Sequence, residues 1–508
     1  MSSKPHLNIP TRMQISGALT LAFAVSCGMP KADQDTSSGP EDTFPSGFFW
    51  GTATAGFQVD MGCPTWSDDD CVDDASDWYD WVTDEGIIAS TGLHVSGDPI
   101  SMGPGMWETL ESDADLMVAD HMTAYRMSIE WSRLFPDGAA EAATTVDELM
   151  AYANTDAVNR YHEMFAALRS RGIEPMVTLN HYVLPRWVHD GVACHNDRQT
   201  CTADGWVNRD RIVPLIALYS GYVGREFGGD VDHWYTLNEP YATTLSGYLM
   251  PGEDRSSPPG LALDVERTVA VMLNQIDGHA AMYDAVKVED TVDANGDGDP
   301  ALVGIVMNFV AIDPANPESA FDVRAAEHMD YLYHRLYLDA ITLGAWDQDL
   351  DGVAETTRPE LAGRLDVLGI NYYNQVLVTG LTASLIPDIP LFDILPEFSW
   401  DPYPEGLGRA VRKGAEWGVP IVVTENGTPY VAEQGIQVLD GHLEALHGAI
   451  EDGVDVRGYL YWSFIDNYEW NHGFDLRFGL YELDEETKAR TPRPVLERYR
   501  SIARENAL

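Results

Sequence analysis

Short runs of β-branched and aromatic residues recur along the chain. Each is followed by a stretch in which apolar positions return every three or four residues. The runs are Phe48–Thr52, Ala124–Ile129, Glu174–Leu179, Asp232–Leu237, Leu302–Asn308, Val367–Asn371, Ile421–Thr424 and Gly458–Ser463. The amphipathic stretches include Ala157–Arg171, Arg211–Phe227, Ala326–Leu343 and Glu405–Trp417. Gly172, Gly344 and Gly418 stand where three of these should stop. Strands alternating with helices predict a parallel sheet. Eight such units predict an α/β fold, a single (β/α)8 TIM barrel with elaborated βα loops.

In that fold the chemistry gathers where strands end and loops begin. The predicted strand ends supply Gln58, Arg126, His181, Asn238, Glu239, Asn308, Asn371, Tyr373, Glu425 and Trp462, with Glu469 and Trp470 just beyond. Such a rim suits a sugar. Carboxylates and amides bond hydroxyls, and aromatic faces cover the apolar side of the ring. Glu239 and Glu425 leave the fourth and seventh strands as a candidate carboxylate pair for glycoside chemistry.

Composition narrows the partners. The chain has 508 residues, 45% of them hydrophobic, and no Pro/Ser-rich linker breaks residues 44–500. A single large domain over 44–508 is expected. The net charge is −50, from 81 acidic and 31 basic residues. A surface of that sign repels nucleic acid and anionic lipid; it is the carboxylate pair and its rim that point to a sugar, a glycoside or oligosaccharide, as the partner. Nothing in the sequence fixes an oligomeric state.

At the N-terminus Lys4 and Arg12 precede the apolar run Ile15–Val25, which is too short to span a bilayer. It reads as a signal peptide over residues 1–27. The core ends Ala24-Val25-Ser26-Cys27-Gly28, which resembles a bacterial lipoprotein cleavage box with Ala24 in place of the usual Leu. Lipidation of Cys27 is expected, with residues 28–43 as a flexible tether and any membrane contact confined to that anchor. The alternative is plain secretion. Either way the protein is exported, to the cell envelope or the medium. The other four cysteines form two close pairs, Cys63/Cys71 and Cys194/Cys201, each expected to close a short loop in an oxidising compartment.

Two acidic stretches resemble calcium loops: Asp293, Asn295, Asp297 and Asp299 in one, Asp347, Asp349 and Asp351 in the other. Alternate oxygen ligands around a Gly suit a hard cation. The twelfth positions hold Gly304 and Arg358 in place of Glu, so a full EF-hand is not supported. Structural calcium outside the sugar site is one reading, and solvated turns are the other.

The chain resembles glycoside hydrolase family 1, the β-glucosidase/β-galactosidase family, from about Phe44 to Tyr499. The markers are Phe48–Ala55, Tyr125–Arg133, Thr236-Leu237-Asn238-Glu239-Pro240, Asn371-Tyr372-Tyr373, Thr424-Glu425-Asn426-Gly427 and Trp462–Trp470, in this order at the expected strands. Trp187–Asp190 and Gly363–Asp366 resemble the archaeal-type members. The resemblance implies a retaining exo-β-glycosidase acting on β-D-glucosides or β-D-galactosides, with no catalytic cofactor. It makes Glu239 the general acid/base and Glu425 the nucleophile. Asn238 matches the ligand of the sugar 2-hydroxyl, and Gln58, His181, Glu469 and Trp470 match ligands of the other hydroxyls. Arg126 and Tyr373 match neighbours of the nucleophile, Trp462 the floor of the sugar site and Phe478 a pocket wall. Arg126 would favour an ionised Glu425, whose charge would in turn hold the proton on Glu239. A retaining pair sits ~5–5.5 Å apart.

Three places depart from the family pattern or shape it. Tyr182 follows His181 where Trp is usual, which bears on 3-hydroxyl recognition. Asp60 stands where Glu is common. The Pro-rich stretch Leu381–Pro404 has two readings, a wall on the aglycone side or simply a packed loop. Glu469 argues against a 6-phosphoglycosidase, and Glu239 argues against a plant thioglucosidase. Two alternatives remain: a catalytically weak carbohydrate-binding surface lipoprotein, and a transglycosidase using the same residues.

Overall fold

A computed structural model describes residues 42–381, 394–399, 401–430 and 432–508. Eight parallel strands close a barrel. They are β1 (Phe49–Ala53), β2 (Ala124–Ser128), β3 (Glu174–Asn180), β4 (His233–Asn238), β5 (Leu302–Asn308), β6 (Val367–Tyr372), β7 (Ile421–Asn426) and β8 (Val456–Trp462). Each pairs with its successor, and β8 returns to β1 with Phe49 opposite Gly458 and Ala53 opposite Trp462. All eight expected strands are therefore present, with no end displaced by more than two residues.

The strands are buried along nearly their whole length. That fits a sheet whose inner face is filled by its own side chains and whose outer face is covered by helices. Packing at the closure is tight. A Cβ at Gly51 of β1 would lie 2.1 Å from the carbonyl oxygen of Ala124, so only glycine fits there. The C-terminal helix Pro494–Glu505 secures this seam: the Tyr499 hydroxyl donates to Gly51 O at 2.6 Å and accepts from Gly51 N at 2.9 Å.

The helices follow the apolar periodicity, at Thr155–Arg169, Arg209–Phe227 and Glu405–Gly414. Gly344 and Gly418 end their helices in the left-handed region, at φ 74° and 73°, which is the conformation glycine adopts without steric cost. One expectation changes. Ala326–Leu343 is not a uniform helix but Ala320–Asp330, a π-helical turn at Tyr331–Arg335, and Leu336–Leu343. The wider turn inserts a residue and rotates the side chains that follow. A second π turn, Leu245–Leu249, follows β4.

Beyond the rim, Ala311–Pro314, Gln375–Gly380 and Ile394–Ser399 form a three-stranded sheet. Of the Leu381–Pro404 stretch, residues 382–393 and 400 lie outside the described residues. So does Cys27, with all of residues 1–41. Among the described residues no helix is long and apolar enough to cross a membrane. Both expected disulfides are formed, Cys63–Cys71 and Cys194–Cys201.

Candidate active site

At the C-terminal rim, β7 delivers Glu425 and the β4–helix junction delivers Glu239. Glu239 has φ 43° and ψ 58°, a left-handed conformation that is costly for a non-glycine residue. Pro240 starts the next helix immediately after it. This bend holds the carboxylate at the rim, and both glutamates are buried.

A continuous hydrogen-bonded chain joins them. Arg126 donates Nη1 to Glu425 Oε1 at 2.6 Å and Nη2 to Asn238 Oδ1 at 2.8 Å. Asn371 donates Nδ2 to that same Asn238 oxygen at 3.1 Å and to Glu239 Oε1 at 2.8 Å. Each link is held from behind. Thr178 accepts Arg126 Nε at 2.9 Å, and Thr424 donates to Asn371 Oδ1 at 2.8 Å, which orients the amide.

Each glutamate keeps a second oxygen for a tyrosine. Tyr373 donates to Glu425 Oε2 at 2.8 Å, and Tyr182 donates to Glu239 Oε2 at 2.7 Å. Burial, and then the glutamate charges, hold both phenols well above the usual tyrosine range, so they remain donors. Burial pushes Glu425 up to about 7. Arg126 pulls it back down, and the charge of Glu239 raises it further. The Arg126 and Tyr373 bonds favour the charged form of Glu425.

Around this pair lies a cavity of about 420 Å³. Its inner wall includes His181, Trp462, Glu469, Trp470 and Phe478. The rings support one another: His181 stacks 6.0 Å from Trp462, Tyr182 lies 4.8 Å from Trp470, and Tyr373 meets Phe478 edge-on at 6.1 Å. Gln58 donates to Glu469 Oε2 at 3.1 Å and to Asn467 Oδ1 at 3.0 Å. Burial pushes Glu469 up to about 7, while Arg255 and Gln58 lower it. His181 is held well below the ordinary imidazole range, by burial first and by Arg126 second, and is neutral.

Among the described residues, Gln58 Oε1, His181 Nδ1 and Asn238 Nδ2 are buried without a hydrogen-bond partner. Asn308 Oδ1, on the cavity wall, is a fourth, while others such as Trp81 Nε1, Glu174 Oε1 and His442 Nε2 lie elsewhere in the fold. The four at this rim give the site donors and acceptors suited to hydroxyl groups.

All twelve catalytic and sugar-site residues expected from the sequence converge on this rim. Phe398, from the stretch read as a candidate aglycone wall, lines the cavity. Sequence reasoning missed the bond from Tyr182 to Glu239, the bridging role of Asn371, and two outer-wall contributions. These are Tyr333, which the π turn carries into the cavity, and Arg255 on the loop after Glu239's helix. Asp60 lies away from the carboxylates, 3.3 Å from Arg133, and burial pushes it up to about 6.

The two acidic loops behave differently. Asp347, Asp349 and Asp351, joined by Glu355, bring ligand atoms within 4.8 Å of one another. In both loops the first Asp turns onto its own backbone: Asp293 accepts from Gly296 N and Gly298 N, and Asp347 from Leu350 N and Gly352 N. Among the described residues, Asp293, Asn295, Asp297 and Asp299 gather no comparable carboxylate group.

A (β/α)8 barrel with two buried glutamates hydrogen-bonded at its C-terminal rim, inside an aromatic and amide-lined cavity, defines a barrel glycosidase. Residues 40–508 match the model of glycosyl hydrolase family 1, and the chain belongs to that family. It is a retaining β-glycosidase. The chain is 34% identical to a β-galactosidase of Pyrococcus woesei, over 89% of this chain and 94% of that one. It is 29% identical to β-glucosidase A of Thermotoga maritima, over 92% and 98%. Among solved structures, the β-glycosidase of Thermosphaera aggregans superposes with a TM-score of 0.78 at 28% identity, covering 92% of this chain and 98% of that one.

Proposed function

We propose that the protein is an exo-acting enzyme that hydrolyses β-D-glucosides, and β-D-galactosides with them, by double displacement. Glu425 attacks the anomeric carbon while Glu239 protonates the departing glycosidic oxygen, leaving a glycosyl ester on Glu425 and a neutral alcohol. Glu239, now a carboxylate, takes a proton from water as the water attacks the same carbon. The sugar leaves with its configuration retained, and both glutamates return to their starting state.

The observation that carries this reading is the hydrogen-bonded chain Glu425–Arg126–Asn238–Asn371–Glu239. It fixes both carboxylates relative to each other before substrate arrives, so no reorganisation is needed at the moment of reaction. Asn238 Nδ2 is placed to donate to a 2-hydroxyl. Gln58, His181 and Glu469 face the remaining hydroxyls, over a floor of Trp462. The presence of both carboxylates supports an enzyme over a retired binding scaffold. Incubation with a 2-deoxy-2-fluoro-β-glucoside should leave one sugar on Glu425, seen by peptide mass spectrometry. A label on another residue, or none, contradicts the assignment.

The reading extends to location and to a cation. Export with lipidation at Cys27 is supported by the sequence pattern, and the two joined cysteine pairs favour an oxidising compartment. The mass of the mature N-terminus distinguishes a diacylated cysteine from a plain cleaved end. The Asp347–Glu355 turn offers oxygen ligands suited to calcium, in a structural role outside the sugar cavity. A rise in melting temperature with added calcium, lost in Asp349→Asn, is the expected result.

A further inference from the structure

Arg255 lines the cavity on the loop that follows Glu239's helix. Its electrostatic neighbours are Tyr182, Glu239, Glu469 and Tyr333. Among the described residues, however, its half-buried guanidinium makes no hydrogen bond and no ion pair. A guanidinium presents five N–H donors and cannot discard its charge. Its nitrogens stay open to the cavity rather than sealed from water, so a ligand that fills the cavity displaces their water and must supply acceptors in its place, or free energy is lost.

The loop is held on both sides of this residue. His472 Nε2 meets the carbonyl of Asp254 at 2.5 Å, and Gly252 N donates to the carbonyl of Arg255 at 2.9 Å. Ser256 Oγ donates to Leu93 O at 2.6 Å, and the Ser246 and Ser257 hydroxyls share a 2.8 Å bond. The donor group is thus presented to the cavity on a fixed backbone, and acceptors for it must come with the ligand.

Glu239 must reach the glycosidic oxygen, so its outer side is the side of the leaving group. An anionic leaving group would face the carboxylates of Glu239, Glu253, Asp254 and Glu469, which line the same cavity. An aryl group would offer the guanidinium few oxygen acceptors. A neutral sugar supplies oxygen acceptors without charge, and ring faces for Tyr333 and Phe398 on the same wall. We propose that Arg255 binds the hydroxyl and ring oxygens of a neutral sugar leaving group, which matches the site to β-linked disaccharides and oligosaccharides over aryl glycosides. This inference rests on the assignment of Glu239 as the acid.

The test compares cellobiose with p-nitrophenyl β-glucoside in the full chain and in Arg255→Met. The expected result is a fall in kcat/KM for cellobiose at least tenfold larger than for the nitrophenyl substrate, carried mainly by KM. Arg255→Lys, which keeps the charge but loses the fork, should recover only part of it. The burst from a dinitrophenyl 2-fluoroglucoside counts intact sites, so a misfolded variant is not mistaken for a selective one. Equal losses on both substrates, or no loss on cellobiose, overturn the proposal. If the unaltered protein turns over neither substrate, the glycosidase assignment itself fails and this inference with it.

Discussion

Arg126 of β2 places its guanidinium 2.6 Å from Glu425 of β7, with both side chains buried in the barrel mouth. Sequence brings these residues no closer than 299 positions apart. The contact offsets the burial that otherwise disfavours a charged Glu425. In Arg126→Met the acidic limb of the kcat/KM–pH profile should therefore move upward, because Glu425 then needs a higher pH to ionise. Loss of one partner of a buried pair is also expected to cost about 3–5 kcal/mol of stability. A profile unmoved from that of the unaltered protein would show that Arg126 does not govern the nucleophile.

The two glutamates should fail differently. Glu425→Gly is expected to abolish hydrolysis of p-nitrophenyl β-glucoside, with azide restoring turnover by occupying the vacated space and attacking from the same side. Glu239→Ala should lose roughly 10²–10⁴-fold on that substrate. The loss should be much smaller on a dinitrophenyl glucoside, whose leaving group departs without a proton. Steady-state rates on the two substrates check both statements, and identical losses for both variants on both substrates would contradict the division of labour.

Tyr182 holds one oxygen of Glu239 while Asn371 holds the other. As Glu239 gives up its proton it becomes charged, and a hydrogen bond to a charged group contributes about 1.5–3 kcal/mol. Tyr182→Phe should thus lower kcat/KM roughly 10- to 100-fold with the fold intact, since the ring and its contact with Trp470 remain. An unchanged kcat/KM would mean that Asn371 alone orients the acid.

Stability should be greatest at mildly acidic pH. Burial raises Glu425 and Glu469 to about 7, Glu130 to about 8, and Asp60 and Asp290 to about 6. A carboxylate raised on folding contributes stability that is present below its unfolded value, near 4, and is lost as pH rises through its folded value. Asp330 runs the other way. It is lowered to about 2 despite burial, by His334 and Lys413, and its contribution is lost only below pH 4. Self-repulsion from a net charge of −50 adds to the loss at high pH. The melting temperature should fall steadily from pH 5 to pH 8.5, and an equal or higher value at pH 8.5 would contradict this account.

Much of the molecule could be read along the chain because its determinants are local. Leu302–Asn308 was readable to the residue, since a β-branched run at a strand position carries its own signal. Ala326–Leu343 was not, because the apolar repeat survives a single inserted residue, and only packing reveals the π turn that carries Tyr333 inward. Arg255 carries no local signal, being one charge in a Pro- and Gly-containing loop. Nothing nearby in sequence indicates that the loop folds back over Glu239 and Glu469.

By itself the sequence determined eight strand–helix units, the placement of Glu239 and Glu425 at strand ends, and the two cysteine pairs. Period, chain direction and short-range spacing are local properties that survive without a folded partner. The tertiary structure decided which atoms meet. Closing β8 onto β1 turns a linear series of strand ends into a ring, and residues hundreds of positions apart become hydrogen-bonding neighbours. Arg126 thereby acquires Glu425, Asn371 bridges Asn238 and Glu239, and Tyr182 reaches the carboxylate it supports. Hydrogen bonds act over about 3 Å, and only the closed barrel fixes distances on that scale.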